Sequence, residues 1–462
     1  MSTSKDSKAT MKIVVVGAGG REHALAWRLA CGAGSEPRGD REVVVVPGNA
    51  GIARFFRCRG LQASSSGGTE QSSEAARRVF DRDAVMSAIV DEQPDLVVVG
   101  PETFLDLGVV DACLTWGIPC FGPTAAAAGL ESSKAFMKDV AQAAGVPTAD
   151  FVVVKELADA DAFLASRRGL GVVVKADGLA GGKGVVVCDD VDSARAHVEE
   201  FLAGRFGAAS RVVVLEDRMS GDELSVFALC DGDNAVILGA ARDHKRLKDG
   251  DTGPNTGGMG AVGPLTEEDG VSAAFLEDVR QRFILPTLHE MKARGVPFRG
   301  MLFAGLMMNG KQPSLLEYNV RFGDPEAEVL LAAYDVDFVP ILLAIAQSQP
   351  LPAGLCFTPS QKVAVVVIAA GGYPDAPEKG AAITGVFQAE RQPGVRVFSA
   401  GVASGPFGLV VDGGRVFAVA SRAPSFDVAI EWAYRAVDRI AFEGMQVRTD
   451  IGATVSTGAA VG

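Results

Sequence analysis

Lys175-Ala176-Asp177-Gly178-Leu179-Ala180-Gly181-Gly182-Lys183-Gly184 joins two β-branched runs, Val172–Lys175 and Val185–Val187. Strand, glycine-rich turn and strand in that order predict an antiparallel flap. A Walker-type phosphate loop is excluded, because the Gly-Lys-Ser/Thr ending that opens a helix is missing. The glycines let backbone N–H groups approach phosphate oxygens with no Cβ in the way, and Lys175 adds a point charge. Taken alone, the stretch supports a phosphate-facing flap and a mobile surface turn equally.

On the N-terminal side the texture is different. Met11–Val16, Val43–Val46 and Leu96–Val99 are unbroken apolar runs that stop at Gly17-Ala18-Gly19-Gly20, Pro47-Gly48-Asn49 and Gly100-Pro101-Glu102. Two-sided apolar strands alternating with helical patterns such as Glu22–Ala30 predict a covered parallel sheet, whose ligands collect at the strand carboxyl ends. A helix near Leu130–Ala144 is expected to begin the next unit, and Cys31–Asp40 and Leu61–Ser73 to be surface loops or insertions. Beyond Phe151 the pattern is hairpin-like. Leu224–Leu229 and Ala235–Ala240 flank Asp231-Gly232-Asp233-Asn234, and Met301–Met308 and Ser314–Tyr318 flank Asn309-Gly310-Lys311. A last segment from about Ser360 holds four further strands and a helix at Ser425–Ala441. The fold class is therefore α/β and α+β multidomain.

At 462 residues the chain exceeds what one hydrophobic core organises, so about three packed domains are expected. A formal charge of −13 argues against nucleic acid or an anionic membrane as partner. Phosphates must then be held by local devices such as helix N-termini, glycine loops and single lysines. Seven cysteines without a C-x-x-C pair predict small buried residues rather than a disulfide frame, and four histidines lack metal-ligand spacing. The first ten residues are too polar for a secretory signal and the apolar runs too short to span a bilayer, so the expected location is cytoplasmic.

Three further stretches carry chemistry. In Glu317-Tyr318-Asn319-Val320-Arg321-Phe322-Gly323-Asp324-Pro325-Glu326, residues two apart on a strand share a face, so Glu317, Asn319 and Arg321 project together. A carboxylate and an amide oxygen suit Mg²⁺, and the arginine can neutralise a transferring phosphoryl group or clamp a carboxylate. That face predicts that Asn319→Ala and Arg321→Ala lose turnover in a protein that stays folded. Asp243-His244-Lys245-Arg246, leading into Asp251–Gly260 (DTGPNTGGMG), is too polar and glycine-rich for a mere connector. There Asp243 can hold an amino group and Lys245 a phosphate or carboxylate. Gly17–His23 opens a helix after a buried strand, where anion binding is physically sensible. As a dinucleotide fingerprint it fails, because Glu22 stands at the third glycine position and Pro47-Gly48-Asn49 replaces the ribose-binding acid.

In that order the pieces resemble the ATP-grasp superfamily, and within it the glycinamide ribonucleotide synthetase (phosphoribosylamine–glycine ligase) family, from about Met11 to Val455. The matching stretches are Gly17–Ala24 (GAGGREHA), Pro47–Gly51, Gly100–Glu102 with Gly108–Asp111, Phe121–Thr124, Ser133–Phe136 (SKAF), Lys175–Val185, Asp243–Arg246 (DHKR), Asp251–Gly260 and Glu317–Glu326. The resemblance implies a dinucleotide-fold-like N-terminal domain over 11–132 and an ATP-grasp region with lid over 133–205, the lid itself near 148–205. It further implies a central ATP-grasp core over 206–350 and an α+β C-terminal domain over 351–455. The implied reaction joins glycine to 5-phosphoribosylamine through glycyl phosphate, with ATP and Mg²⁺ or Mn²⁺, in de novo purine synthesis by a monomer or weak oligomer.

By position, Lys134 and Lys175 resemble lysines that contact ATP phosphates, beside Asp177, Gly178, Gly181, Gly182, Lys183 and Gly184 of the flap. Glu216 resembles the adenine hinge and Glu223 the ribose ligand. Glu317 and Asn319 match the metal ligands, and Arg321, Asp243 and Lys245 the catalytic and glycine-site residues. Gly19, Gly20, Asn49, Glu102, Asp324 and Pro325 match substrate-binding loops. The chain departs from the family pattern at Glu328, where glutamine is usual, and at Leu306, where many ATP-grasp enzymes carry a second metal carboxylate. The alternatives are another ATP-grasp carboxylate–amine ligase and a nicotinamide-dependent oxidoreductase using the N-terminal sheet.

Overall fold

The computed structural model describes residues 10–61, 81–180 and 184–456. Its first layer follows from the valine runs. β1 (Met11–Gly17), β2 (Arg41–Pro47), β3 (Arg57–Cys58), β4 (Leu96–Val99) and β5 (Cys120–Phe121) form a parallel sheet in the order β3-β2-β1-β4-β5. Ile13 stands opposite Val43 on one side and Leu96 on the other. The strand order reverses at β1, so the Gly17–Gly20 turn lies at a topological switch point, where α/β sheets bind ligands. Helices α1 (Gly20–Cys31), α2 (Arg82–Glu92), α3 (Glu102–Asp106) and α4 (Val109–Thr115) connect and cover the strands. Cys31 ends α1 rather than opening a loop, and residues 33–39 are exposed. Of Leu61–Ser73 only Leu61 lies within the described residues.

The helix expected near Leu130–Ala144 is two helices, α5 (Ala125–Ser132) and α6 (Lys134–Ala143). Ser133 breaks them: it is extended, and its Oγ accepts the Phe136 N–H at 3.1 Å as the N-cap of α6. Propensity over that stretch hides the break, because the capping bond only forms once the chain turns.

Next, β6 (Phe151–Val154), α7 (Leu157–Ser166), β7 (Val172–Ala176), β8 (Val185–Cys188), α8 (Val191–Leu202) and β9 (Val213–Asp217) form a small unit. Its antiparallel sheet runs β6-β9-β7-β8, and Val174, Phe201 and Leu215 sit in a core of its own. The flap turn joins β7 to β8, and its Gly181, Gly182 and Lys183 lie outside the described residues.

The long hairpins come next. β10 (Asp222–Asp231) pairs with β11 (Ala235–Asp243), and β12 (Arg246–Lys248) with β13 (Thr252–Asn255), so the stretch read as a glycine-rich loop is itself a hairpin. It ends in β14 (Gly260–Gly263), followed by α9 (Ala273–Val279) and α10 (Leu285–Ala293). β15 (Arg299–Asn309) and β16 (Gln312–Asn319) then lead to α11 (Glu326–Ala333), wholly buried, and α12 (Val339–Ala346). The last segment holds β17 (Lys362–Ala369), α13 (Val386–Glu390), β18 (Val395–Ser399), β19 (Val402–Gly405), β20 (Gly408–Val411), β21 (Arg415–Ala423) and α14 (Phe426–Val437).

These C-terminal strands continue the central sheet. Ala261 of β14 pairs with Val365 of β17, giving one eight-stranded antiparallel sheet, β16-β15-β10-β11-β14-β17-β21-β18. Its two faces serve two cores: Val226 and Ala228 point into one, Phe227 and Leu229 into the other, as the strand period of two dictates. All seven cysteines are free; five are buried, Cys58 is half-buried and Cys356 exposed, so the buried reading fails for the last. Among the described residues no helix is long and apolar enough to cross a membrane.

Candidate functional site

β16 leaves the hairpin with Glu317 and Asn319 on one face, and Arg321 follows just past its end. Asn319 Nδ2 donates to Glu317 Oε1 at 3.4 Å, and Arg321 Nη2 donates to Asn319 Oδ1 at 3.4 Å. The expected face therefore exists. Burial opposes the Glu317 charge, but Lys245, Lys175, the Asn319 bond and Lys134 outweigh it and hold its carboxyl below the usual range. Lys245 Nζ pairs with Glu223 Oε2 at 2.5 Å. Burial disfavours that ammonium, yet Glu223, Glu317 and Asp243 keep it charged. One carboxylate and one amide oxygen, both hard donors, would hold a divalent cation, which with the three lysines would supply charge neutralisation for a phosphate. Leu306, at the position of the missing second acid, is fully buried in the core.

Arg321 is more heavily engaged than its sequence role implies. Nε binds Glu102 Oε2 at 2.9 Å, Nη2 binds Glu131 Oε1 at 2.8 Å, and Nη1 donates to the Phe322 carbonyl at 3.3 Å. Against burial, Arg321 and Arg21 hold Glu102 down to about 2, whereas burial wins at Glu131 and pushes it up. Thus Glu102, expected at a substrate loop, fixes Arg321 from α3, while Glu131 fixes it from α5. Glu131 gave no sequence signal: it sits in the run Ala125–Ser132, and its partner is 190 residues away.

At the end of the site next to the β6–β9 unit, Lys134 opens α6. Its Nζ lies 3.4 Å from the Asp177 carbonyl and 3.3 Å from that of Gly178. The Asp177 carboxylate turns onto α6, accepting from Ala135 N at 2.7 Å and Ser133 Oγ at 3.0 Å. It therefore anchors the flap to a helix N-terminus, where negative charge is favoured, instead of pointing at a phosphate. Gly178 packs so close to Ala209 that any Cβ would lie 2.8 Å from its Cα. Lys175 pairs with Glu216, whose carboxylate also meets Lys138.

The opposite end of the site is acidic. Glu22 donates nothing and accepts twice: from Gly19 N at 2.6 Å and from Arg21 Nε at 2.6 Å. Its side chain fills the space left by Gly17, Gly19 and Gly100, where any Cβ would collide with it. A carboxylate thus occupies the α1 N-terminus, the very place a dinucleotide pyrophosphate would need, which removes the oxidoreductase reading.

Beside that turn, a cleft of about 640 Å³ opens between the first sheet and the β19–β20 hairpin, lined by Gly19, Asn49, Asp324, Gly401, Ser404 and Arg415 among others. Gly20 is buried behind it. Asn49 shapes this cleft with its amide already satisfied: Nδ2 donates to Ala18 O and Ser399 O, and Oδ1 accepts from Gly51 N and Ile52 N. Arg415 binds the Asp324 carboxylate at 3.1 Å and the Asp324 carbonyl at 2.7 Å. Arg415 was missed because it opens a strand in a segment with few polar clusters. Burial, then Glu326, raises Asp243 well above the carboxylate range. Pro325 packs against Gly258, which lies between β13 and β14. Both histidines nearby are neutral acceptors: burial lowers His23 to about 3 and His244 to about 4. His23 Nδ1 takes the Ser399 N–H at 2.9 Å, tying α1 to β18.

Comparison with known proteins gives matches along almost the whole chain. Residues 11–131 match the phosphoribosylglycinamide synthetase N domain, 132–327 its ATP-grasp (A) domain and 363–454 its C domain. A phosphoribosylamine–glycine ligase of Caulobacter vibrioides is 44% identical over 450 residues, covering 96% of this chain and 98% of its own. The crystal structure of a phosphoribosylamine–glycine ligase from Thermotoga maritima superposes with a TM-score of 0.78 at 32% identity, over 96% of this chain and all of that one. A Campylobacter jejuni biotin carboxylase shares the fold at 16% identity, with a TM-score of 0.69 over 96% of this chain and 94% of its own.

Proposed function

The chain belongs to the phosphoribosylglycinamide synthetase family, and from that membership together with its site we infer that it joins glycine to 5-phosphoribosylamine at the expense of ATP. The observation that carries this reading is the polarity of the site. Lysines 134, 175 and 245 gather round Glu317 at one end, whereas Asp243, Asp324, Glu326 and Glu328 gather at the other. A triphosphate suits the first; at the second an incoming ammonium would draw the proton from Asp243, while Arg321 and Arg415 suit a carboxylate and a phosphate.

A carboxylate is a poor acyl donor because its leaving group is oxide. Its oxygen attacks the γ-phosphoryl group, ADP leaves, and glycyl phosphate forms; the amine of phosphoribosylamine then attacks the acyl carbon and phosphate leaves. Asp243 accepts the glycine ammonium, Lys245 and Arg321 face the carboxylate and the transferring group, and the flap of β7 and β8 keeps water from the acyl phosphate. Glu317 and Asn319 would hold the divalent cation, Mg²⁺ or Mn²⁺, which supplies charge neutralisation on the phosphate oxygens. No histidine or cysteine is required as a nucleophile. The cleft of Gly19, Asp324 and Arg415 takes the ribosyl phosphate. The net charge of −13 argues against nucleic-acid and anionic-membrane partners, and dispersed free cysteines suit a reducing compartment such as the cytoplasm.

The direct test is ADP release with ATP, a divalent cation, glycine and phosphoribosylamine generated in situ. Release that depends on glycine supports the reading; release indifferent to glycine removes it. In the same assay Asn319→Ala is expected to raise the half-saturating Mg²⁺ concentration at least about tenfold, the usual scale for disturbed metal sites. An unchanged Mg²⁺ titration would reject Asn319 as a ligand.

A further inference from the structure

Lys138 takes no part in the reaction steps, yet it is fully buried. It lies one turn along α6 from Lys134, on the same face. Its Nζ is 2.6 Å from Glu216 Oε2 and donates to Thr148 Oγ1 at 2.7 Å. Thr148 Oγ1 in turn donates to the Leu315 carbonyl at 2.7 Å, on the strand that carries Glu317. The other Glu216 oxygen holds Lys175. A continuous polar chain thus runs from the metal-ligand strand through α6 to the flap sheet.

Resting on the ATP-dependent reading above, we propose that Lys138 is a positioning residue for ATP: by sharing Glu216 it keeps Lys175 aimed but not neutralised, so that Lys175 can meet a phosphate. The charge balance supports this. With two ammonium groups on one carboxylate, a positive charge is left over for an anionic ligand. Without Lys138, Glu216 and Lys175 form a closed one-to-one pair, and a phosphate must compete with a buried carboxylate for the lysine. Burial disfavours the Glu216 charge, and Lys175 and then Lys138 restore it, so the carboxylate stays ionised below its usual range; burial likewise lowers the Lys138 ammonium from its ordinary value, with Glu216 pulling against it.

Lys138→Met keeps the volume and removes the charge. ATP binding is measured first by calorimetry on the full chain without glycine, then steady-state KM and kcat are measured with both substrates. The expected result is ATP affinity weakened about tenfold, with KM for ATP rising in parallel and kcat little changed, because one unit of nearby charge is lost. Glu216→Gln is measured alone first, which reads any nucleotide contact of its own; added to Lys138→Met it is expected to reverse most of that variant's loss, since it frees Lys175 again, whereas a purely structural role for Lys138 predicts a further loss instead. Lys138→Gln serves where the methionine variant fails to fold. Wild-type protein that binds ATP, with a Lys138 variant that binds it equally well, overturns the proposal alone. Wild-type protein that does not bind ATP overturns the ligase reading and the proposal with it.

Discussion

Arg321→Met is expected to cut glycine-dependent ADP release about a thousandfold, the scale seen when one preorganised donor to a transition state is removed. The same change is expected to destabilise the fold by about 3–5 kcal/mol, because it strands carboxylates that now share one buried guanidinium. This revises the expectation that an Arg321 variant simply stays folded. Arg321 joins three elements: α3 through Glu102, α5 through Glu131, and the end of β16 through the Asn319 contact. Loss of activity alone is therefore ambiguous between chemistry and collapse.

A double variant separates the two. Glu131 is the more enclosed carboxylate, at 9% side-chain exposure against 30% for Glu102. Arg321→Met with Glu131→Gln removes the stranded charge where it costs most, so melting is expected to recover a large part of the lost stability while turnover stays low. Turnover near the wild-type rate in that folded double variant would show that Arg321 only braces the site.

How far the sequence reached can be judged from the same residues. The valine runs announced the parallel sheet, and the two-residue period of Glu317, Asn319 and Arg321 announced their common face, because both signals are local. The partners of Arg321 were not legible. Glu131 looks like an ordinary helix residue, and its role exists only because the chain returns after 190 residues. Glu22 was half-legible. Its bulk at the third glycine position argued against a dinucleotide, but only the fold shows that Gly17 and Gly100 vacate the space that its side chain fills. Arg415 carried no local pattern at all. Asp177 was legible only in part: its place in a glycine-rich flap suggested a nucleotide contact, and the bond from its carboxylate to the start of α6 had no sequence signal. Residues whose role is set by their neighbours in sequence were readable, and residues set by tertiary pairing were not.

Glu328→Gln is expected to remove a loss of stability that the wild-type protein suffers as pH rises. Glu328 is fully buried in α11, and among the described residues neither carboxyl oxygen has a hydrogen-bond partner. Its Oε1 lies 2.5 Å from where a Cβ on Gly20 would stand, so it sits directly behind the α1 turn. Around it are Asp324 on the preceding loop, Arg415 on β21 and Arg21 on α1; burial first, and Asp324 next, push its carboxyl well above the usual range, against the pull of the two arginines. In the folded protein it keeps a proton that the unfolded chain releases above its ordinary value of about 4.3. The folded state thus binds more protons, and stability falls as pH rises from there toward the folded value. Glutamine cannot release a proton, so the variant escapes that loss. Whatever fixed cost its amide hydrogens add is the same at every pH, which makes the slope the diagnostic quantity. The two curves are expected to be parallel near pH 4, offset by that fixed cost, and above it to diverge by about 1.4 kcal/mol per pH unit in favour of the variant up to the folded value. Denaturation midpoints measured from pH 4 to pH 8 read this directly. Parallel curves would mean that Glu328 is ionised in the fold, its charge balanced by Arg21 and Arg415.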